Sequence, residues 1–146
     1  MEFKILIVDI VPAQLRALEN ILVQAGCGKI FQAKNVKEAV GILEKEPDIR
    51  LVISEWDLPD KPGLEILSAL KKNGRLEKTQ FLLTFKDKSR EDILKALKAG
   101  AKGFVVKPYK LDIIKKKIDE ISLSEAPPAS YDESMANILN SIKQVE

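Results

Sequence analysis

Four polar residues close strand-like runs that lie far apart in the chain. Asp9 follows Ile5-Leu6-Ile7-Val8, and Glu55 follows Leu51-Val52-Ile53-Ser54. Thr84 closes Phe81-Leu82-Leu83, and Lys107 follows Gly103-Phe104-Val105-Val106. Asp57 stands two residues beyond Glu55, in a turn marked by Pro59, Pro62 and Gly63. Carboxylates, a hydroxyl and an amine gathered at one place can hold a cation or meet an anionic group. Any one of them alone reads as a solvated strand end. Four at equivalent ends favour a present or former site, because open α/β sheets keep their ligands at the carboxyl ends of the strands.

The elements that must position these residues follow from the apolar pattern. Short continuous apolar runs at 4–9, 29–33, 51–54, 81–84 and 103–106 read as buried strands. Between them lie stripes at helical spacing: Leu15, Leu18, Ile21 and Leu22; Val36, Ala39, Val40 and Leu43; Leu64, Leu67 and Leu70; Ile93, Leu94 and Leu97; Ile114, Ile118 and Ile121. Pro12 suits the first turn of the first helix, Asn35 and Ser89 are N-caps, and Gly26 and Gly100 are stops. Five strands alternating with five helices predict an α/β doubly wound sandwich around a parallel sheet. Right-handed crossovers bring every strand's carboxyl end to one edge, and so gather Asp9, Glu55, Thr84 and Lys107. Residues 1–122 form this domain. Residues 123–146 read as a Ser/Pro-containing linker and a short amphipathic helix carrying Met135, Ile138, Leu139, Ile142 and Val145.

Composition narrows the function classes. The 146 residues suffice for one domain. The chain contains no histidine, which excludes a histidine triad, a histidine zinc site and a histidine general base. No phosphate-cradling glycine loop is present. A net charge of +2 is too small to argue for nucleic acid, and no apolar run reaches the ~20 residues that span a bilayer. One cysteine, Cys27, and an N-terminus that leads straight into a strand fit a cytoplasmic protein.

These residues resemble the receiver domain of bacterial two-component response regulators, of the chemotaxis-regulator kind. The likeness rests on 4–9, on Glu55-x-x-x-Pro59-x-x-x-Gly63-Leu-Glu-Ile-Leu67, on Leu83-Thr84, and on Ala99-Gly-Ala-Lys-Gly-Phe-Val-Val-Lys-Pro108 with Tyr109. It implies a flavodoxin-like sheet in the order 2-1-3-4-5 and a cis bond before Pro108. It also implies a phosphoryl group passed from a sensor kinase to an aspartate beside magnesium, with Thr84 and Phe104 as switch residues. The chain departs at the acceptor, where Glu55 stands, and at a metal-ligand position, where Ile10 stands. Phe85 occupies a usually small position, and Pro62 a usually acidic one.

An atypical receiver is therefore expected: a signalling module rather than an enzyme, working by protein contact without phosphorylation. No cofactor is expected beyond weak magnesium binding. Ile10 supplies no oxygen and should set an apolar side chain beside the acids. Glu55 reaches about 1.5 Å farther than aspartate. With Asp9 and Glu55 facing Lys107, the pocket can be stable without metal. Glu55 then either imitates a phosphorylated acceptor and biases Thr84 and Phe104, or is a plain partner of Lys107. The competing function is a working phosphorelay receiver using Glu55 or Asp57 with magnesium. The expected partner is a protein, a sensor kinase or an acidic effector. It would meet the face of the fourth helix, fifth strand and fifth helix, where Lys95, Lys98, Lys102, Lys110, Lys115, Lys116 and Lys117 fall. Neither nucleic acid nor membrane is expected, and the chain should be a monomer or weak dimer.

Overall fold

The computed structural model describes residues 4–123. The expected linker and amphipathic helix lie outside the described residues. Five strands, β1 (Lys4–Val8), β2 (Lys29–Ala33), β3 (Ile49–Glu55), β4 (Gln80–Phe85) and β5 (Gly103–Val106), form one sheet in the order β2-β1-β3-β4-β5. All pairings are parallel. Five helices connect and follow them: α1 (Pro12–Gln24), α2 (Val36–Lys45), α3 (Leu64–Lys72), α4 (Arg90–Ala99) and α5 (Leu111–Leu123). No helix among the described residues is long and apolar enough to cross a membrane.

Two apolar layers hold the sandwich. Ile5, Ile7, Leu51, Ile53, Leu82 and Val105 face α1 and α5 on one side of the sheet. Leu6, Val8, Val52, Phe81, Leu83 and Phe85 face α2, α3 and α4 on the other. Both faces of the central strands are thus covered, which explains their continuous rather than alternating apolar runs.

The helix punctuation acts as the sequence indicates. Pro12 occupies the first turn of α1. Asn35 Oδ1 accepts from the Glu38 amide at 2.8 Å, and Ser89 Oγ accepts from the Asp92 amide at 3.1 Å. Gly26 and Gly100 take positive φ after α1 and α4, where a side chain would be strained. Three details differ from the sequence reading. β3 begins at Ile49, and polar Arg50, which interrupts the apolar run, falls where the register against β1 shifts between Lys4 and Ile5. Ile66 is fully buried beside Leu67 and Leu70, while Leu64 is only partly so. α5 continues to Leu123.

One glycine fixes how the loop after β3 returns to the sheet. A Cβ at Gly63 would fall 2.3 Å from the Glu55 carbonyl oxygen and 3.0 Å from Ser54 Oγ. The Gly63 amide meanwhile donates to the Trp56 carbonyl at 2.7 Å. Backbone atoms cannot step aside as a side-chain end can, so Gly63→Ala should lower stability by about 2 kcal/mol or more. Thermal unfolding followed by circular dichroism should show the midpoint falling by roughly 5 °C or more.

Candidate functional site

Asp9 follows β1, Glu55 ends β3, and Lys107 follows β5, all at the carboxyl edge. Strand spacing is about 4.8 Å, so β5 lies some two spacings from β3, across the end of β4. The long lysine stem crosses that gap. Lys107 Nζ lies 2.6 Å from Asp9 Oδ2 and 2.6 Å from Glu55 Oε1. The three side chains are only 7%, 4% and 13% exposed for Lys107, Asp9 and Glu55. The remaining oxygens are also engaged. Asp9 Oδ1 accepts from the Val11 amide at 3.0 Å, and Glu55 Oε2 accepts from the Asp57 amide at 2.9 Å. Burial acts to lower the Lys107 pKa, but its hydrogen bonds to Asp9 and Glu55 prevail and hold it above 10.5.

Thr84 is buried, and its Oγ1 accepts a hydrogen bond from the Tyr109 hydroxyl at 3.3 Å. Burial, the leading cause, raises the Tyr109 phenol above its ordinary 10.0; the Thr84 bond and Lys107 oppose it. Lys107-Pro108 is a cis peptide bond, and the Lys107 amide donates to the Phe85 carbonyl at 2.9 Å. Phe104 is half-buried, with its ring stacked on Phe85 at 5.7 Å between centroids.

One expected placement needs correction. Asp57 does not join the acidic pocket. Its carboxylate is 76% exposed and pairs with Lys88 at 2.9 Å. Residue 57 lies past the strand end, in a turn bridged to Pro62, and the turn aims it outward. Ile10, next to Asp9, is 45% exposed at the start of the β1–α1 loop. Among the described residues, no group of three or more His, Cys, Asp or Glu is placed to hold a metal ion. A divalent ion of the magnesium type needs a near-octahedral oxygen set. Here Ile10 offers no oxygen, and both carboxylates already accept from Lys107 and from backbone amides. The donor set does not fit that ion. Glu55 and Thr84 pair in register, with no side-chain hydrogen bond between them among the described residues.

Sequence reasoning missed three features around the pocket. Lys88 Nζ lies 5.1 Å from the centre of the Trp56 ring while pairing with Asp57. Trp56 meets the edge of Phe85 at 6.0 Å. Asp60, beyond β3, accepts from the amides of Val36 and Lys37 at 3.0 Å each, and so pins its loop to the start of α2. Burial opposes ionisation of Asp60, but these amides hold its pKa below 3.8. No local pattern links residue 60 to residues 36 and 37; only the fold does.

With fold and pocket in view, the comparisons with known proteins agree. The response regulator receiver domain family matches residues 5–119. The chain belongs to that family. It is 30% identical over 118 residues to chemotaxis protein CheY-3 of Vibrio cholerae, covering 81% of this chain and 90% of that protein. Chemotaxis protein CheY homolog of Campylobacter jejuni is 26% identical over 118 residues, covering 81% of this chain and 91% of the homolog. Among solved structures, one similar chain is the receiver domain of the Saccharomyces cerevisiae response regulator Ssk1, crystallised with the histidine phosphotransfer protein Ypd1. It has 27% identity and a TM-score of 0.73, with 86% of this chain and 92% of that chain covered. A two-component response regulator from Clostridium difficile gives 25% identity and a TM-score of 0.74, covering 82% and 95%.

Removing one member of a buried ion pair strands the other. Lys107→Met should therefore cost about 3–5 kcal/mol, read as a lower urea midpoint at pH 7. A loss below about 1 kcal/mol would show that the acids do not depend on it. Asp60→Ala should cost about 1 kcal/mol, reduced by its exposure. The Asp60 pKa is lowered on folding, so its contribution is complete above pH 3.8 and fades as pH falls through the lower folded value. Unfolding free energies measured from pH 7 to 2 should therefore converge for wild type and Asp60→Ala at the acid end.

Proposed function

We propose that this receiver domain acts in two-component signalling by binding a partner protein, without taking up a phosphoryl group. The observation that carries this reading is the doubly bonded Lys107, which occupies the acids a cation would otherwise need. Phosphoryl transfer depends on a positioned nucleophile and on neutralised developing charge. Glu55 is held at both oxygens, by Lys107 and by the Asp57 amide, and Ile10 removes a ligand. The same proposal makes the domain a non-enzymatic module without a cofactor, and its single cysteine suits the cytoplasm.

The partner class comes from two directions. The receiver of Ssk1, a similar chain, was crystallised with a histidine phosphotransfer protein, which makes such a protein or a sensor kinase a reasonable partner here. The edge position of β5 leaves α4 and α5 flanking it on opposite sides. That face carries exposed Lys95, Lys98, Lys110, Lys115 and Lys116, with Lys102 and Lys117 half-buried. An acidic effector would complement it, and association should weaken with salt.

Incubating the full chain with acetyl phosphate and magnesium should leave its intact mass unchanged. An adduct of about 80 Da on Glu55 or Asp57 would establish instead a working phosphorelay receiver. The variant Ile10→Asp/Glu55→Asp should regain both magnesium binding by calorimetry and the adduct. Charge reversal at Lys95, Lys98 and Lys115 should weaken capture of the acidic partner at least about tenfold.

A further inference from the structure

The two residues that the family resemblance marks as a coupled switch have separate partners in this chain. Thr84 pairs in register with Val105, a member of the apolar layer under α1 and α5. Its hydroxyl meets Tyr109, which packs on that same layer. Phe104 pairs with Leu83 and packs on the opposite layer, with Phe85. The alternation of side chains along a strand enforces this division: residues 83 and 85 face one way and residue 84 the other.

On the Phe104 side, an aromatic column runs from the rim to the edge strand. Lys88 sits over Trp56, Trp56 meets Phe85 edge-on, and Phe85 stacks on Phe104 with ring planes 21° apart. Phe85 is 2% exposed and Trp56 8%, so both rings are fixed by packing. Lys88 further ties the rim through its ion pair with Asp57. A small residue at 85 would leave room beside Phe104. A phenylalanine fills that room, and close-packed interiors do not yield it cheaply.

We infer that Phe85 holds Phe104 in one position on the α4–β5–α5 face, so that this face is fixed and does not respond to events at Asp9, Glu55, Thr84 or Lys107. The inference deepens the proposed function and rests on it for the role of that face. A module with a fixed docking face binds its partner constitutively, and the amount of partner or of module, rather than a phosphoryl group, sets the complex.

The test uses the full chain labelled with carbon-13 in its phenylalanine rings. Phe104 signals are followed by NMR in wild type, Glu55→Gln, Tyr109→Phe and Phe85→Ala. The first two substitutions alter the pocket and the Thr84 contact; both should leave the Phe104 signals within their linewidth. Phe85→Ala should move them by more than a linewidth or split them into two environments. The single tryptophan, Trp56, should change its fluorescence in parallel. If Phe85→Ala fails to fold, Phe85→Leu keeps most of the bulk, removes the stacking ring and must give the same shift. Movement of Phe104 in Glu55→Gln or Tyr109→Phe comparable to that in the residue 85 variant would overturn the inference, as would an unmoved Phe104 in that variant. The phosphoryl adduct is a separate readout: an adduct with Phe104 unmoved in the pocket variants defeats the proposed function alone, and movement of Phe104 in Glu55→Gln or Tyr109→Phe without an adduct defeats this inference alone.

Discussion

A lysine ammonium held 2.6 Å from each of two carboxylates, with little solvent around any of the three, binds the carboxyl edge of the sheet together. Taking these groups out of water is costly, and an isolated pair often fails to recover the cost. Two features offset it. The ammonium meets two acids rather than one, and the far oxygen of each acid accepts a backbone amide. Desolvation acts on Lys107 in one direction and its bonds to Asp9 and Glu55 in the other, and the bonds prevail. The formal charge of the trio is −1, low enough to persist without a dication, whereas a third carboxylate at position 10 would add repulsion.

Much of the edge follows from that bridge. The Asp57 amide turns in to Glu55, so the Asp57 side chain faces outward, where Lys88 neutralises it. Lys88 in turn covers Trp56, and the aromatic column begins there. Gly63 lets the same loop press against the end of β3, and Asp60 fastens it to α2. The β3–α3 loop is thus held at three places, by Glu55, by Lys88 and by the α2 amides.

The architecture was legible because its signals are local and redundant. Each buried strand is a continuous apolar run, each helix shows a stripe at helical spacing, and Pro12, Asn35, Ser89, Gly26 and Gly100 mark boundaries by known backbone chemistry. The gathering of Asp9, Glu55, Thr84 and Lys107 at one edge follows from topology once the strands are parallel, and the order β2-β1-β3-β4-β5 is the one the resemblance implies. Side-chain direction was not legible in the same way. Asp57 reads as a pocket acid because it stands two residues beyond Glu55, yet it lies in a turn that aims it outward. Direction in a loop depends on which amides the neighbours capture, and these contacts join residues distant in sequence.

Phe85 illustrates how one residue is read differently at each level. In the sequence it is an apolar residue extending a buried strand, and a departure from a usually small position. In the sheet it shares a face with Leu83 and Phe104, opposite Thr84. In the packed structure it sits between Trp56 and Phe104, the middle ring of the column. Glu55 and Phe85 are independent departures, one at the end of β3 and one at the end of β4. On the function proposed above, each acts on a different half of a phosphate switch: Glu55 and Ile10 on the input, Phe85 on the link to the docking face. Under that proposal, a chain without an acceptor but with a small residue at 85 would still carry a movable Phe104 with nothing to move it, and Phe85 fills that freedom as well.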